Sequence, residues 1–582
     1  MSYHALFFEE KFMRLKDVKN RKDLAQLLDV KVKVLTYCLY VLPETMRYSS
    51  FVIPKKDGSE RQILVPCAQL KRIQKKLAEV LNEDYLEINS NNVAQGFIKN
   101  KGIITNARYH RNKRVIINVD ISDFFGTIHF GRVKGYFENN KFYKLNNKVA
   151  TMIAQLTCYQ GKLPQGAPTS PVIANMIGQI IDYHILKLCK QYKLYYTRYA
   201  DDMTFSTNIN YSLVEIEKFI CDLSETLSRL GFEINTKKTR VCFNSSKQEV
   251  TGVIVNKKLN ADKTFIKETR AMAQNLYSTG GFVIDNKIGT MDQLEGRFAF
   301  INQFDKYNNI VNNTSKGKHL EKLNVREKAY QQFLFYKLFL GNDRPVIYTE
   351  GKTDSRYIKA ALKKLYIQYD DLIEKNENGK FEYKILFGSR NKKYEYFLDF
   401  MQYGADSFNI IALLYTGRNG YANLCSILKS KMRRKPNAPV ILLMDNEQTN
   451  GKPLNKFLQS YRDEHYKNLT DHEKAFFNDY NYIRLVENLY LATFPLEPGV
   501  EEMEIEDLFS KEFLDGKING KSFKRSPKKG ETNVMSKDEL SRYVLSHYRS
   551  INFSGFKGLL DVISAIKKDY EKYINMDDNK WY

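Results

Sequence analysis

The order of apolar and polar positions divides this 582-residue chain into two stretches of different rhythm. Up to about residue 90 the apolar positions recur at helical spacing. One extended piece interrupts them, SSFVIPKKDGSERQILVP, where two β-rich runs flank Lys55-Lys56-Asp57-Gly58, a hairpin signal. KRVIINVDISDFF (113–125) reads as a buried strand followed by a turn. After the turn-rich GKLPQGAPTSP, VIANMIGQIIDYHILKLCKQY reads as a long amphipathic helix entered just after a proline. LYYTRYADDMTFSTN is a β-run, a tight turn and a second β-run. SLVEIEKFICDLSETLSRLGF is a helix stopped by Gly231, and EVTGVIVN is a short strand. Helical patterns then run to about residue 340, ending with NVREKAYQQFLFYKLFL.

Gly341-Asn342-Asp343-Arg344-Pro345 breaks the last helix, and the rhythm changes. Strand VIYTEG leads to helix DSRYIKAALKKLY, strand YKILFG, helix YANLCSILKSKM, strands PVILLMDNE and IRLVENLYLATF, and helix EIEDLFSKEF. Such alternation predicts a mostly parallel sheet with helices on its faces, and places a domain boundary near 341. GKSFKRSPKKGETN is a basic, polar loop, expected to be mobile. No internal repeat is visible.

Length agrees with this division, since single cores stop growing near ~250–300 residues. Hydrophobic residues at 43% and charged residues at 27% fit a globular, water-soluble chain. No stretch approaches the ~20 uninterrupted apolar residues of a membrane helix. The N-terminus meets acidic residues too early for a secretory signal, and the seven cysteines form no CxxC pairs. A cytoplasmic protein without zinc or disulfides is expected. Charge changes the picture further. The net charge is +24, but residues 341–582 hold 39 basic and 35 acidic side chains, against 52 and 32 in residues 1–340. A basic first half suits a polyanion, and its many Tyr and Phe suit base stacking. An AT-rich coding sequence also inflates Lys, Asn, Tyr and Phe, but it does not explain the asymmetry.

Tyr199-Ala200-Asp201-Asp202 lies between two β-runs, so both carboxylates should occupy a hairpin tip. Adjacent anions repel unless a cation joins them. Asp120 ends the strand RVIINVD, and strands of one sheet could bring it beside Asp201. Three carboxylates around two Mg²⁺ ions are what phosphoryl transfer to a 3′-hydroxyl requires. An Asp-Asp turn in a surface hairpin would read the same way. The surrounding residues resemble the reverse transcriptase family, over roughly residues 30–330. Asp120 with Phe125 looks like its first motif, in which the aromatic is a steric gate against a 2′-hydroxyl. Leu163-Pro164-Gln165-Gly166-Ala167-Pro168-Thr169-Ser170-Pro171 is similar to the next, where Gln165 and Gly166 would hold template and incoming nucleotide. Asn235-Thr236-Lys237-Lys238-Thr239 is similar to the motif whose lysine, here Lys238, would lie near the triphosphate.

Asn106-Ala107-Arg108-Tyr109-His110 matches the NAxxH element and Val250-Thr251-Gly252 the VTG element of bacterial retron reverse transcriptases. His110 alone would read as a core histidine. Within this resemblance Asn106 and His110 would instead help shape a surface for the retron's structured RNA. The resemblance implies an α+β right-hand polymerase, with fingers and palm over 1–260 and a helical thumb over 261–340. It also implies a cognate noncoding RNA serving as primer and template, dNTPs as substrates, and a branched RNA–DNA product, msDNA, begun from a guanosine 2′-hydroxyl.

The second half carries its own acidic set. Val346-Ile347-Tyr348-Thr349-Glu350-Gly351-Lys352-Thr353-Asp354 is a strand delivering a glutamate into a glycine turn before a helix. Val440-Ile441-Leu442-Leu443-Met444-Asp445-Asn446-Glu447 is a buried strand ending in carboxylates spaced i, i+2, which share one face of an extended chain. Both lie at strand ends, where parallel sheets bind ligands. This resembles the toprim domain, an α/β fold with a mostly parallel sheet, here over 341–582. The resemblance implies Mg²⁺ at Glu350, Asp445 and Glu447, the last one methylene longer than the usual aspartate. A later acidic helix, Glu502-Met503-Glu504-Ile505-Glu506-Asp507, would add a further ligand, with Glu506 and Asp507 the first choices. A solvated acidic helix start reads equally well. Helicase, ATPase and glycine-rich phosphate motifs are missing, which disfavours an ATP-driven machine.

Two readings follow for this half. One is a metal-dependent nuclease, the effector of a phage-defence unit resembling toxin–antitoxin systems. The other is a non-catalytic module binding or scaffolding msDNA. For a nuclease, RNA such as tRNA is favoured over DNA, because a tolerant DNase would destroy the tethered msDNA that restrains it. An autoinhibited assembly of several copies fits an effector that must stay silent in its own host.

Overall fold

The computed structural model describes residues 13–54, 58, 60–89, 91–311, 320–400, 406–465, 471–528 and 531–575. They form two compact units, Met1–Asp262 and Lys263–Tyr582.

In the first unit, β1 (Tyr48–Pro54) and β2 (Glu60–Pro66) pair antiparallel, with Tyr48 opposite Pro66 and Pro54 opposite Glu60. The predicted turn residues Lys55–Asp57 lie outside the described residues. The helix α1 (Ala68–Ile88) follows. The central sheet holds β3 (Val115–Asp120), β4 (Tyr195–Tyr199), β5 (Asp202–Thr207) and β6 (Arg240–Phe243) in the order β4-β5-β3-β6, all antiparallel. Between β3 and β4 runs α2 (Ser170–Gln191), with Pro171 in its first turn, where no N–H is needed. Its Ile173, Ile177, Ile181 and Ile185 recur every fourth residue and are buried in the core shared with the sheet. After β5 comes α3 (Leu213–Arg229), opened by a capping box between Ser212 and Glu215. Gly231 beyond it is left-handed at φ +73°. EVTGVIVN differs from its expected single strand. Glu249–Val250 and Val253–Ile254 pair antiparallel across a turn with Thr251 and Gly252 at positive φ, so the chain doubles back.

The second unit begins with α4 (Lys263–Thr279), α5 (Met291–Val311) and α6 (Val325–Phe335). The α/β part follows: β7 (Val346–Thr349), α7 (Asp354–Lys364), β8 (Leu386–Phe387), β9 (Val440–Leu443), β10 (Tyr482–Val486), β11 (Leu489–Ala492), α8 (Lys537–Ser546) and α9 (Lys557–Asn575). The sheet order is β8-β7-β9-β11-β10; all neighbours are parallel except the edge strand β10. One face packs on Tyr357 and Ile358 of α7, Leu540 of α8 and Leu560 and Ile563 of α9. The other face shares a core with α4–α6. Phe298 stacks on Tyr330, which meets Phe397, and Phe339 meets Tyr348 of β7. This aromatic packing puts the compact division after Asp262, beside the palm–thumb boundary expected at 260/261, and joins the thumb stretch to the α/β part expected from 341.

Three expectations are corrected here. IRLVENLYLATF is a hairpin and not one strand, because Glu487 turns at φ +50° and buried Asn488 donates to the carbonyls of Phe339 and Ala438. The run to Glu447 is not continuously extended: β9 ends at Leu443, Glu447 N–H donates to the Asp445 carbonyl, and Asn446–Glu447 pairs antiparallel with Glu502–Met503. EIEDLFSKEF is a 3₁₀ turn, Ile505–Leu508, and a short helix, Lys511–Asp515. Among the described residues, no helix is long and apolar enough to cross a membrane.

Candidate active sites

In the first unit, Asp120 stands opposite Asp202 across the β3–β5 ladder. Tyr199 pairs with Asp202, leaving Ala200 and Asp201 as a two-residue turn. Ala200 takes the left-handed conformation at φ +57° that such tight hairpins demand. Asp120 is buried, Asp201 half-buried and Asp202 exposed. Lys238 Nζ lies 3.0 and 3.1 Å from the two carboxylate oxygens of Asp120. Shielding from water holds Asp201 above the ordinary carboxylate range, with Asp120 adding repulsion. The same shielding, reinforced by Asp201 and Asp120, brings Asp202 to about 6, although its side chain keeps an exposed edge. Anionic oxygen donors whose repulsion is only partly relieved by a lysine suit a hard divalent cation such as Mg²⁺. Among the described residues, no three His, Cys, Asp or Glu side chains close around one point as a finished cage. Mg²⁺ commonly takes one or two carboxylates, its remaining ligands being water and substrate phosphate.

These groups open onto a cleft of about 530 Å³ lined by Asp120, Phe125, Gln165, Asp201 and Lys238, with Arg61 of β2 and Lys162 adding positive charge. Phe125 is half-buried, its ring edge-on to buried Phe124. The Gln165 carbonyl accepts from Leu64 N–H of β2 at 2.8 Å. Gly166 sits at φ +120°, where a Cβ would lie 2.5 Å from the Leu64 carbonyl oxygen, so only glycine permits this approach. Arg61 and Lys162 carry no motif, and in so basic a half nothing in the sequence singles them out.

Residues 53–255 match the family described as reverse transcriptase (RNA-dependent DNA polymerase). This stretch is a reverse transcriptase domain. The chain is similar to the retron Ec86 reverse transcriptase of Escherichia coli, 28% identical over 291 residues, covering 50% of this chain and 85% of that one. It is similar to the retron Mx65 reverse transcriptase of Myxococcus xanthus, 31% identical over 274 residues, covering 44% and 62%. The retron Ec48 reverse transcriptase of Escherichia coli is 26% identical over 360 residues, covering 60% and 80%. Among solved structures, the telomerase of Candida albicans in complex with a TWJ fragment of telomeric RNA aligns at a TM-score of 0.29 and 12% identity, covering 50% of this chain and 60% of that one.

The NAxxH and VTG elements of the reverse transcriptase domain meet each other inside it, which corrects the expectation of a surface role. His110 is wholly buried, with Nδ1 2.7 Å from the Ser206 hydroxyl and Nε2 2.7 Å from the Thr197 hydroxyl. Burial lowers it to about 3, so it is neutral. Asn106 is also buried; its carbonyl oxygen accepts from Thr197 and its amide donates to Thr251 at 3.4 Å. Two cores of hydrogen bonds thus tie β4 and β5 to both elements. An RNA cannot reach these two side chains without opening the palm.

In the second unit, Glu350 follows β7 and Asp445 lies two residues past β9. Glu350 Oε1 accepts from Asp445 N–H at 3.1 Å, and Asp445 Oδ1 accepts from Ile505 N–H at 2.9 Å. Burial raises Glu350 to about 7, with Asp354 and Glu447 adding repulsion. Asp445 is pushed well above its ordinary range by shielding from water, then by Asp354, Glu350 and Glu506. Buried Glu506 is raised for the same first reason, and its Oε1 has no hydrogen-bond partner among the described residues. The carboxylates that act on one another here are therefore Glu350, Asp354, Asp445 and Glu506, with Glu447 acting on Glu350. Asp354, which accepts from Gly351 N–H at 2.8 Å, went unassigned in the sequence although it stands in the Glu350-to-Asp354 turn. Glu447 is engaged by Lys452 at 2.6 Å, and Lys452 also reaches Glu502 at 3.2 Å. Asp507 pairs with Arg525 and leaves the cluster, while Lys537 pairs with Glu504 and Glu506 at 3.0 and 3.1 Å.

Proposed function

We propose that this chain is a retron reverse transcriptase, making branched msDNA from its own noncoding RNA and dNTPs, with Mg²⁺ held by Asp120, Asp201 and Asp202. The carrying observation is the convergence of Asp120 and Asp201 with Phe125 and Gln165 on one cleft inside the matched stretch, with Asp202 facing Asp120 across the ladder. Bound there, Mg²⁺ supplies charge neutralisation to the attacking hydroxyl and the leaving pyrophosphate. The chain's own residues do the rest. Arg61, Lys162 and Lys238 line the cleft with cations for a triphosphate. Phe125, whose ring lines the cleft, would oppose a ribose 2′-hydroxyl. Gln165, pinned through its backbone to β2, fixes the floor for the paired template base. Asp201→Asn should abolish primer extension on an RNA template and leave RNA binding intact. Extension by the variant at the wild-type rate would refute the assignment.

For the second unit we propose a toprim-type, Mg²⁺-dependent nuclease acting in antiphage defence, RNA favoured over DNA as substrate. Glu350 and Asp445 at the ends of parallel strands, with Asp354 and Glu506 beside them and all four raised first by burial, support this, since such crowding persists where a cation is to be taken up. Glu350, Asp354, Asp445 and Glu506 offer the oxygen donors that such an ion takes one or two at a time, although among the described residues they close no finished cage; Glu447, paired with Lys452 as Glu506 is with Lys537, would join them. The scaffold reading draws on Lys452, Arg525 and Lys537, which already answer neighbouring acids. Incubating the protein with tRNA, plasmid and msDNA in Mg²⁺ separates the two. Cleavage lost in Glu350→Ala supports the nuclease, and no cleavage of any of them supports the scaffold.

A further inference from the structure

We propose that Arg198 is a positioning residue for the catalytic turn, gripping Asp182 with one edge of its guanidinium and holding the Ala200 carbonyl with the other. The inference rests on the reverse transcriptase reading above.

Arg198 and Asp182 are both fully buried. A buried guanidinium is tolerated only when paired and hydrogen-bonded throughout. Nε donates to Asp182 Oδ1 and Nη2 to Oδ2, each at 2.8 Å, the bidentate geometry that arginine alone supplies. The Tyr196 hydroxyl donates to Asp182 Oδ1 at 2.8 Å and fixes the carboxylate further. Nη1 remains, and it donates to the Ala200 carbonyl at 3.1 Å and to Asn175 Oδ1 at 3.3 Å.

Ala200 is where a brace matters. An alanine at φ +57° is held against its own preference, and Asp201 is the next residue. The turn is flanked on another side by Gly96, whose Cβ, if present, would lie 3.0 Å from Ala200 N. Asn175 Nδ2 donates to the Gly96 carbonyl at 2.8 Å, so α2 carries groups that reach both flanks of the turn. Space for the guanidinium comes from Gly178 of α2, where a methyl group would overlap it. A core ion pair with no role in catalysis would need only Asp182. The third donor aimed at the catalytic turn is what the pair alone does not explain.

Gly178→Ala displaces the guanidinium while leaving every polar group in place, and Arg198→Lys keeps the charge but cannot span both partners. Each full-length variant is compared with wild type by poly(rA)/oligo(dT) extension with dTTP, by Mg²⁺ dependence of the rate, by thermal melting and by Mn²⁺ calorimetry, with Asp201→Asn as control. A shift of Asp201 by about 1 Å should lower kcat on the order of 100-fold with little change in KM for dTTP. Half-maximal rate should need more Mg²⁺, and melting should remain cooperative. If Arg198→Lys does not fold, Gly178→Ala decides. Folded Gly178→Ala with wild-type kcat and Mg²⁺ dependence overturns the brace. Should wild type itself make no DNA, the proposed function fails, and calorimetry still judges the brace: weaker Mn²⁺ binding by Gly178→Ala upholds it, unchanged binding overturns it.

Discussion

Replacing Glu350 by glutamine should stabilise the metal-free protein near pH 8 and hardly affect it near pH 5. Glu350 is held at about 7 against an ordinary 4.5 because burial and the charges of Asp354 and Glu447 disfavour its ionised form. Between those two values the native chain keeps a proton that the unfolded chain has lost. The associated stability is fully present below pH 4.5 and disappears as pH rises through about 7. At 1.36 kcal/mol per pK unit, the charge costs up to about 3 kcal/mol at pH 8 and under about 1 kcal/mol at pH 5. Partial exposure of the carboxyl lowers the first figure, so about 1–3 kcal/mol is expected. Glutamine keeps the oxygen that accepts from Asp445 N–H, so only the charge is removed. Thermal melting of the full chain with and without Mg²⁺ measures both effects. Wild type should gain stability from Mg²⁺ at pH 8, and Glu350→Gln should start higher and gain little. Destabilisation by Glu350→Gln at pH 8, or an equal effect at both pH values, would refute the reasoning and mark Glu350 as a structural carboxylate.

Phe125→Ala should relax sugar selection, read as incorporation of ribonucleotides relative to deoxyribonucleotides; unchanged discrimination would make Phe125 a packing residue. Extension rates should fall as pH drops through about 6, where Asp202 takes up a proton, and saturating Mg²⁺ should move that fall to lower pH. His110→Ala should cost about 1–3 kcal/mol at neutral pH by stranding the Ser206 hydroxyl and removing one of the two partners of Thr197, measured by urea unfolding. Because His110 stays neutral down to about 3 while its unfolded counterpart titrates near 6.5, it adds acid sensitivity below pH 6.5 that the variant should lack. Gly166→Ala should slow extension by driving the loop off Leu64, with unaltered activity disproving the close approach.

Local pattern alone specified the β1–β2 hairpin, β3, the tight turn at Ala200-Asp201, α2 and α3, and the mostly parallel sheet of the second unit, because periodicity and turn chemistry act within a few residues. The acids Asp120, Asp201, Asp202, Glu350 and Asp445 were legible for the same reason, each standing where an apolar run stops. The tertiary structure decided their partners. Lys238 meets Asp120 from 118 positions away, and Asn106 meets Thr251 from 145. Such separations leave no periodic trace, so His110 turned inward, toward Ser206 96 positions on, without any sign in the chain. The compact division falls after Asp262, beside the expected start of the thumb, because the helices from there to 340 bury Phe298, Tyr330 and Phe333 in the α/β core, and a helix's apolar stripe does not state which neighbour will cover it.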